Sequence, residues 1–119
     1  PRAHRLSGAR AFTAVYDYRV RKNIGPIAVA VRPNGLPHLR LGLSVSRRVG
    51  IAVKRNRIKR LIREAYRLNR HAWPTGLDAI VIVRPHTPLP LAEYVRLLGQ
   101  GLENASREAA RRAKRDAAG

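Results

Sequence analysis

The sequence lacks several features that would point to particular protein classes. It contains no cysteine among its 119 residues, which excludes disulfide bonds and thiolate metal sites. Its longest apolar stretches, IAVAV and AIVIV, are far shorter than the roughly 18 residues of a membrane-spanning helix. The first segment, PRAHRLSGAR, has no apolar core of the kind that a secretion signal carries. We therefore expect a soluble cytoplasmic protein.

Acidic residues are scarce as well. Seven acids face 25 lysines and arginines, so the formal net charge is +18. Such an excess needs a polyanionic partner or strong solvation, and a nucleic acid is the first candidate, ahead of an anionic membrane. The acids are scattered and the four histidines show no ligand or triad spacing, whereas two-metal phosphodiester chemistry needs converging carboxylates. We therefore predict no catalytic residues, no bound metal and no cofactor in the protein.

Hydrophobic residues make up 45% of the chain, which is too many for a disordered basic tail. The length suits one domain with a modest core, so we predict a single domain over residues 1–119. Residues 106–119 favour a helix but contain no large apolar side chain. They are expected either to extend a helix or to fray.

The pattern of apolar residues predicts the order helix, strands, helix, strand, helix. Phe12, Val15 and Tyr16 share one helical face, with Ser7 as a possible N-cap. The segment YRVRKNI suggests a short edge strand. Next, IAVAVRPNGLPHLRLGLSVS predicts two strands around an Asn-Gly turn, a strong hairpin signal because both residues tolerate positive φ. A basic helix, the buried strand LDAIVIVRP and an amphipathic helix LPLAEYVRLLGQGLENA follow. Strands with helices packed against them form a two-layer α/β sandwich.

The basic helix, VKRNRIKRLIREAYRLNR, begins in an electrostatically unfavourable way. A helix N-terminus carries partial positive charge, and a cation there costs up to about 1 kcal/mol. Residues 44–70 contain ten cations and one acid, Glu64, so they carry +9, half of the excess charge. At about 100° per residue, the apolar residues fall on one arc and the cations on the opposite arc. A solvated surface would normally mix charge signs, so we predict that this face binds nucleic-acid phosphates, which suit the planar fork of arginine.

A groove for an unpaired nucleic-acid strand is a second predicted feature. Strand alternation places small residues on one face of the sheet: Ala28, Ala30, Gly42, Ser44 and Ser46. Phe12 and Tyr16 are placed to border this face, and Arg47 and Arg48 follow the strand. Aromatic and basic side chains together bind single strands, with stacking worth roughly 1–3 kcal/mol per base. The alternative is that the two aromatic residues belong to the core.

One long segment, LRLGLSVSRRVGIAVKRNRIKRLIREAYR, resembles the protein subunits of bacterial ribonuclease P. The shared motif is the strand GLSVS, a basic pair, Gly50, the Arg55-Asn56-Arg57 core and IKRLIREAY, and it runs without gaps for about 29 residues. Elsewhere the chain departs from the family. DYRVRK stands where the family usually has a glycine soon after the aromatic pair, and IGPIAVAV is poorer in aromatic residues than usual.

The resemblance implies an α/β (α+β) fold and a function. The fold is a two-layer sandwich of a roughly four-stranded mixed sheet and three helices, with a left-handed βαβ crossover through the basic helix, similar to the second domain of a ribosomal protein. The function is that of a ribonucleoprotein subunit whose RNA partner, with Mg²⁺, cuts the 5′ leader from precursor tRNA. The implied partners are the catalytic RNA and precursor tRNA, with no DNA and no membrane.

The resemblance also assigns residues to two surfaces. The residues implied to contact the catalytic RNA are Lys54, Arg55, Asn56, Arg57, Lys59, Arg60, Arg63 and Arg67. The residues implied to line the leader cleft are Phe12, Tyr16, Ser44, Ser46, Arg47 and Arg48. Three rival functions remain: a general RNA-binding or ribosomal protein, a stand-alone basic nuclease and a membrane-surface module. The gapless motif argues against a general RNA-binding protein, and the scattered acids argue against a nuclease. A membrane-surface module is disfavoured because the opposite face of the helix is needed for the core.

Overall fold

A computed structural model describes residues 4–119 of the chain. The described part forms one four-stranded mixed sheet with strand order β1-β2-β4-β3 and three α-helices, which confirms the predicted α+β architecture. In chain order the elements are α1 (Ala9–Tyr18), β1 (Val20–Ile24), β2 (Ile27–Pro33), β3 (Arg40–Val45), α2 (Ala52–Asn69), β4 (Leu77–Val83) and α3 (Leu91–Ala118). Short 3₁₀ turns at Arg47–Val49 and Arg70–Ala72 flank α2.

The connections of the sheet differ from the sequence prediction at one point. Strands β2 and β3 do not pair, because β4 lies between them, antiparallel to β2 and parallel to β3. The predicted hairpin at Asn34-Gly35 is therefore wrong. The hairpin of the sheet is instead β1–β2, which turns at Gly25 with φ 56°, and β1 is the edge strand that the sequence suggests. The parallel pair β3–β4 is joined through α2, the crossover that the family resemblance implies.

The two faces of the sheet are covered by different helices. Val29 and Val31 belong to the main core, which also contains the buried residues of α2 and α3. Ala30 points to the opposite face, where it joins Leu6, Val15 and Ile80 in a smaller cluster beneath α1. Because α1 covers β2 and β4 but not all of β3, this second face is only partly closed.

Two helix termini show how the backbone fixes these elements. Helix α1 starts after Gly8, which is the N-cap with φ 93° and no side-chain cap, so the predicted cap at Ser7 is wrong. At its other end Arg19 adopts the left-handed conformation with φ 62°, and its N–H donates to Tyr16 O. Helix α3 packs closely on β2, since a Cβ at Gly101 would lie 2.8 Å from Val29 Cγ2.

A buried polar cluster fixes the starts of β3 and β4. Asp78 on β4 is only 2% exposed. Arg40 on β3 donates to both of its carboxylate oxygens at 2.7 Å, and Asn34 Nδ2 donates to Oδ1 at 3.0 Å. Burial alone would raise the pKa of Asp78, but the hydrogen bonds and positive charges outweigh it and hold that pKa below its ordinary value. The cluster therefore joins two neighbouring strands to the loop after β2.

Candidate nucleic-acid interface

Helix α2 packs on the core along one side only. Its buried residues are Ile58, Ile62 and Ala65, which recur at helical spacing. No acid occupies its first turn, and its N-cap residue, Ile51, makes no side-chain hydrogen bond. The positive end of the helix dipole therefore meets positively charged side chains without compensation from this part of the chain. The electrostatic cost inferred from the sequence is present in the folded protein.

The opposite side of α2 carries most of the residues that the resemblance assigns to the catalytic RNA. Six residues border a shallow depression of about 420 Å³ on this outer face: Asn56, Lys59, Arg60, Arg63, Glu64 and Arg67. Glu64 binds the guanidinium of Arg67, and Arg67 is the one cation of α2 in the ion pairs described for residues 4–119. The outer face is therefore strongly positive, with one local neutralisation.

The first two turns of α2 hold the remaining assigned cations, Lys54, Arg55 and Arg57, in different environments. Arg55 Nε donates to Gly50 O at 3.1 Å, and Lys54 Cδ lies only 2.7 Å from the position of a Cβ on Gly50. Both side chains are half-buried and support the turn that precedes the helix. Arg57 is exposed. Burial raises the pKa of Tyr94 on α3, and the hydrogen bond from Leu89 N–H and the positive charge of Arg57 oppose that rise.

A cleft of about 430 Å³ lies between the N-terminal segment, β3 and the second half of α2. Phe12 covers Gly42 on one side of it, since a Cβ at this glycine would lie 2.7 Å from Phe12 Cζ. Arg63, Arg67 and Arg70 line the other side. The cleft therefore combines an aromatic ring with a row of guanidinium groups, the combination that binds unpaired nucleotides.

The N-terminal segment forms a wall of this cleft that sequence analysis missed. Leu6 N–H donates to Leu41 O at 3.0 Å, so the segment adds a short parallel bridge to β3. The Tyr66 hydroxyl lies 2.5 Å from Leu39 O and 3.2 Å from His4 O. Burial raises the pKa of Tyr66, so its hydroxyl keeps the proton that it donates. Tyr66 thus links α2 to the start of β3 and to the N-terminal segment.

Of the predicted cleft residues, Phe12 alone lines this cleft. The rings of Tyr16 and Phe12 form a T-shaped contact at a centroid distance of 6.4 Å, and Tyr16 is 41% exposed. Ser44 is the register partner of Ile82, two residues beyond Gly42 on β3. The other predicted residues, Ser46, Arg47 and Arg48, are exposed and follow the strand toward α2. They lie outside the cleft.

Arg70 is a cleft residue that the sequence could have indicated. It follows Arg63 and Arg67 at i+7 and i+3, so the three share one helical face with Tyr66. No three His, Cys, Asp or Glu side chains within residues 4–119 are grouped so that they could hold a metal ion. None of the helices found there has the length and apolar character needed to cross a bilayer.

Comparison with known proteins connects this chain to one family. The family model described as Ribonuclease P matches residues 1–115. The ribonuclease P protein component of Desulfovibrio desulfuricans is 38% identical over 102 residues, covering 84% of this chain and 78% of the relative. The corresponding protein of Methylococcus capsulatus is 43% identical over 100 residues, covering 82% of this chain and 77% of the relative.

Solved structures share the fold as well as the sequence. The RNase P protein from Thermotoga maritima matches with a TM-score of 0.77 and 30% identity over 84% of this chain and 96% of that structure. The RNase P protein of Staphylococcus aureus matches with a TM-score of 0.74 and 31% identity, covering 86% and 94% of the two chains. The resemblance found in the motif around Arg55, Asn56 and Arg57 is confirmed, and the chain belongs to the ribonuclease P protein component family.

Proposed function

We propose that this protein binds the catalytic RNA of ribonuclease P through the outer face of α2 and the 5′ leader of precursor tRNA in the cleft beside Phe12. One observation carries the proposal: α2 begins with positive side chains, no acid and no side-chain cap. Folding alone does not favour this arrangement, whereas RNA phosphates would compensate it. Membership of the ribonuclease P protein component family supports an RNA as that partner.

The proposed role is to position two RNAs against each other. Both RNAs carry dense negative charge, and a protein with a net charge of +18 offsets their repulsion. We assign the hydrolysis, an endonucleolytic cut, to the RNA subunit and its Mg²⁺ ions, as the family resemblance implies. The protein supplies binding and orientation, and the predicted cytoplasmic location fits this role.

The leader is proposed to enter between Phe12 and the arginines at the end of α2 and just after it. The Phe12 ring offers a stacking surface, while Arg63, Arg67 and Arg70 line the facing wall and suit phosphates. A strand leaving the cleft along β3 would pass from Gly42 to Ser44 and then reach Ser46, Arg47 and Arg48. Ser46, Arg47 and Arg48 would thus continue the leader-binding surface beyond the cleft.

The first test separates a specific footprint from general positive charge. Arg57→Ala should weaken binding to a bacterial ribonuclease P RNA and lower the slope of log K against log salt by about 0.7–0.9, the value for one lost phosphate contact. Arg96→Ala is the matched control, because it removes the same charge from an exposed arginine on α3 that pairs with Glu93. Its slope should stay close to that of the wild type. An unchanged slope for Arg57→Ala would remove this residue from the interface.

The second test separates the rival functions. Cleavage of precursor tRNA by the RNA should depend most on the protein when Mg²⁺ is low, because the protein then supplies the missing positive charge. Affinity for precursor tRNA should also rise with leader length. A general RNA-binding protein would show no leader dependence, and cleavage by the protein without the RNA would indicate a stand-alone nuclease. Equal cleavage with and without protein at low Mg²⁺ would contradict the proposal.

A further inference from the structure

Two large apolar side chains are exposed at the start of α2. Ile51 is 74% exposed and Val53 is 75% exposed, compared with 45% for Leu68 and 41% for Tyr16, the other exposed large apolar residues of the described chain. A single exposed apolar residue needs no explanation. Two of them lie only two residues apart at the start of α2, each about three-quarters exposed, and together they are called the apolar patch here.

Folding does not explain either residue type. Ile51 occupies the N-cap position of α2 and makes no side-chain cap, although serine, threonine, aspartate and asparagine are preferred there. Val53 is β-branched, which gives it a lower helix propensity than a straight side chain. Neither residue belongs to the two core clusters of the described chain. The patch therefore gains nothing from capping, from propensity or from packing.

The surroundings of the patch indicate the chemistry of its partner. Arg47 and Arg48 precede it and are exposed, and Lys54 and Arg55 follow it. An apolar patch among positive charges fits RNA, whose unpaired bases offer apolar faces beside phosphates. A membrane surface is less suitable, because an interfacial helix needs a long apolar face. The apolar face of α2 is instead buried in the core.

We propose that Ile51 and Val53 pack against an unstacked base or a ribose of the catalytic RNA. This inference rests on the proposed function, in which α2 binds that RNA, and it adds a contact of a different kind. Phosphate contacts weaken as salt increases because bound counterions are released. Burial of apolar surface does not depend on counterion release. The interface would therefore combine a salt-dependent part from the cations with a salt-independent part from the patch.

The test uses a variant that should fold at least as well as the wild type. Ile51→Ser together with Val53→Gln removes the patch without changing the net charge. Serine is a preferred N-cap, and glutamine favours helix more than valine, so the midpoint of thermal unfolding should be equal or higher. Affinity for ribonuclease P RNA should fall roughly tenfold at every salt concentration, as expected from the apolar area involved. The slope against log salt should not change.

One control variant and two comparisons make each outcome decisive. Leu68→Gln removes an exposed apolar side chain from the other end of the same helix and should leave RNA affinity unchanged. Wild-type affinity in the double variant, or a changed salt slope, would overturn the inference. If Arg57→Ala lowers the slope while the double variant binds normally, only this inference fails, whereas an unchanged Arg57→Ala slope counts against the proposed function itself. Loss of binding to phosphatidylglycerol vesicles with RNA affinity intact would indicate a membrane and overturn the inference.

Discussion

Replacing Asp78 by asparagine is a sharp test of how the sheet is held together. The two side chains have nearly the same shape, so the substitution changes charge and hydrogen bonding more than packing. In the wild type both carboxylate oxygens accept a hydrogen bond from Arg40 at 2.7 Å, and one also accepts from Asn34 at 3.0 Å. Asparagine has one oxygen and an NH₂ group, so it leaves at least one of these donors without an acceptor.

The size of the effect follows from the burial of the two partners. Removing one partner of a fully buried ion pair costs about 3–5 kcal/mol, and a hydrogen bond to a charged group contributes about 1.5–3 kcal/mol. The Asp78 side chain is 3% exposed, but the Arg40 side chain is 34% exposed, so water can solvate part of the unpaired guanidinium. We therefore expect Asp78→Asn to lower the free energy of unfolding by about 2–3 kcal/mol near neutral pH.

The same substitution should change the response to acid. The pKa of Asp78 is lower in the folded protein than its ordinary value, so the unfolded chain binds the proton more readily. This carboxylate therefore stabilises the fold above the unfolded pKa of about 3.9, and its contribution is lost as pH falls from there through the folded pKa. The stability difference between wild type and Asp78→Asn should shrink over that range.

Urea unfolding measures both effects, and Trp73, the single tryptophan, is 9% exposed and provides the fluorescence signal. Glu93→Gln is the control, since its carboxylate pairs with Arg96 on the surface and should contribute little. A free energy of unfolding for Asp78→Asn within about 0.5 kcal/mol of the wild-type value at neutral pH, the range of ordinary surface substitutions, would refute this role of Asp78.

Two further substitutions test the backbone at particular positions. Arg19→Gly should raise the free energy of unfolding by about 0.5–1 kcal/mol in urea, because φ is 62° at this helix end and glycine adopts that conformation without strain; Arg19→Ala should bring no such gain. Gly42→Ala should displace the Phe12 ring, since the added Cβ would lie 2.7 Å from Cζ. For this variant we expect the affinity for precursor tRNA with a leader to fall, while the affinity for the catalytic RNA, measured separately, stays near wild type. Equal losses of both affinities would contradict the proposed division of the surface.

Much of the fold follows from local patterns in the sequence. Helix α2 is predicted from the helical spacing of its apolar face, and β4 from its continuous apolar run, which the structure buries at nearly every position. The hairpin at Asn34-Gly35 was predicted wrongly for the opposite reason. Its turn chemistry is local, but β4 enters between β2 and β3 from a position more than thirty residues later. A turn signal alone carries no information about such a distant partner.

The candidate site also combines a local feature that the sequence shows with long-range contacts that it does not show. The charged face of α2 could be predicted because one helix contains it. The cleft could not, since it depends on the hydrogen bond between Leu6 N–H and Leu41 O and on the packing of Phe12 over Gly42. These contacts join segments far apart in the chain. The row formed by Arg63, Arg67 and Arg70 was visible in the sequence, but its position beside the cleft depends on the packing of α2.

The bridge from the N-terminal segment to β3 has a consequence for self-association. Any open sheet ends in two strands with unpaired backbone groups, which can recruit strands from other molecules and begin aggregation. Here Leu6 occupies part of the β3 margin. The margin at β1 is a five-residue strand that carries the exposed Arg21, while its Lys22 is paired with Glu108. A cover on one side and a short strand with an exposed positive charge on the other should keep copies of the protein from joining sheet to sheet before they meet RNA.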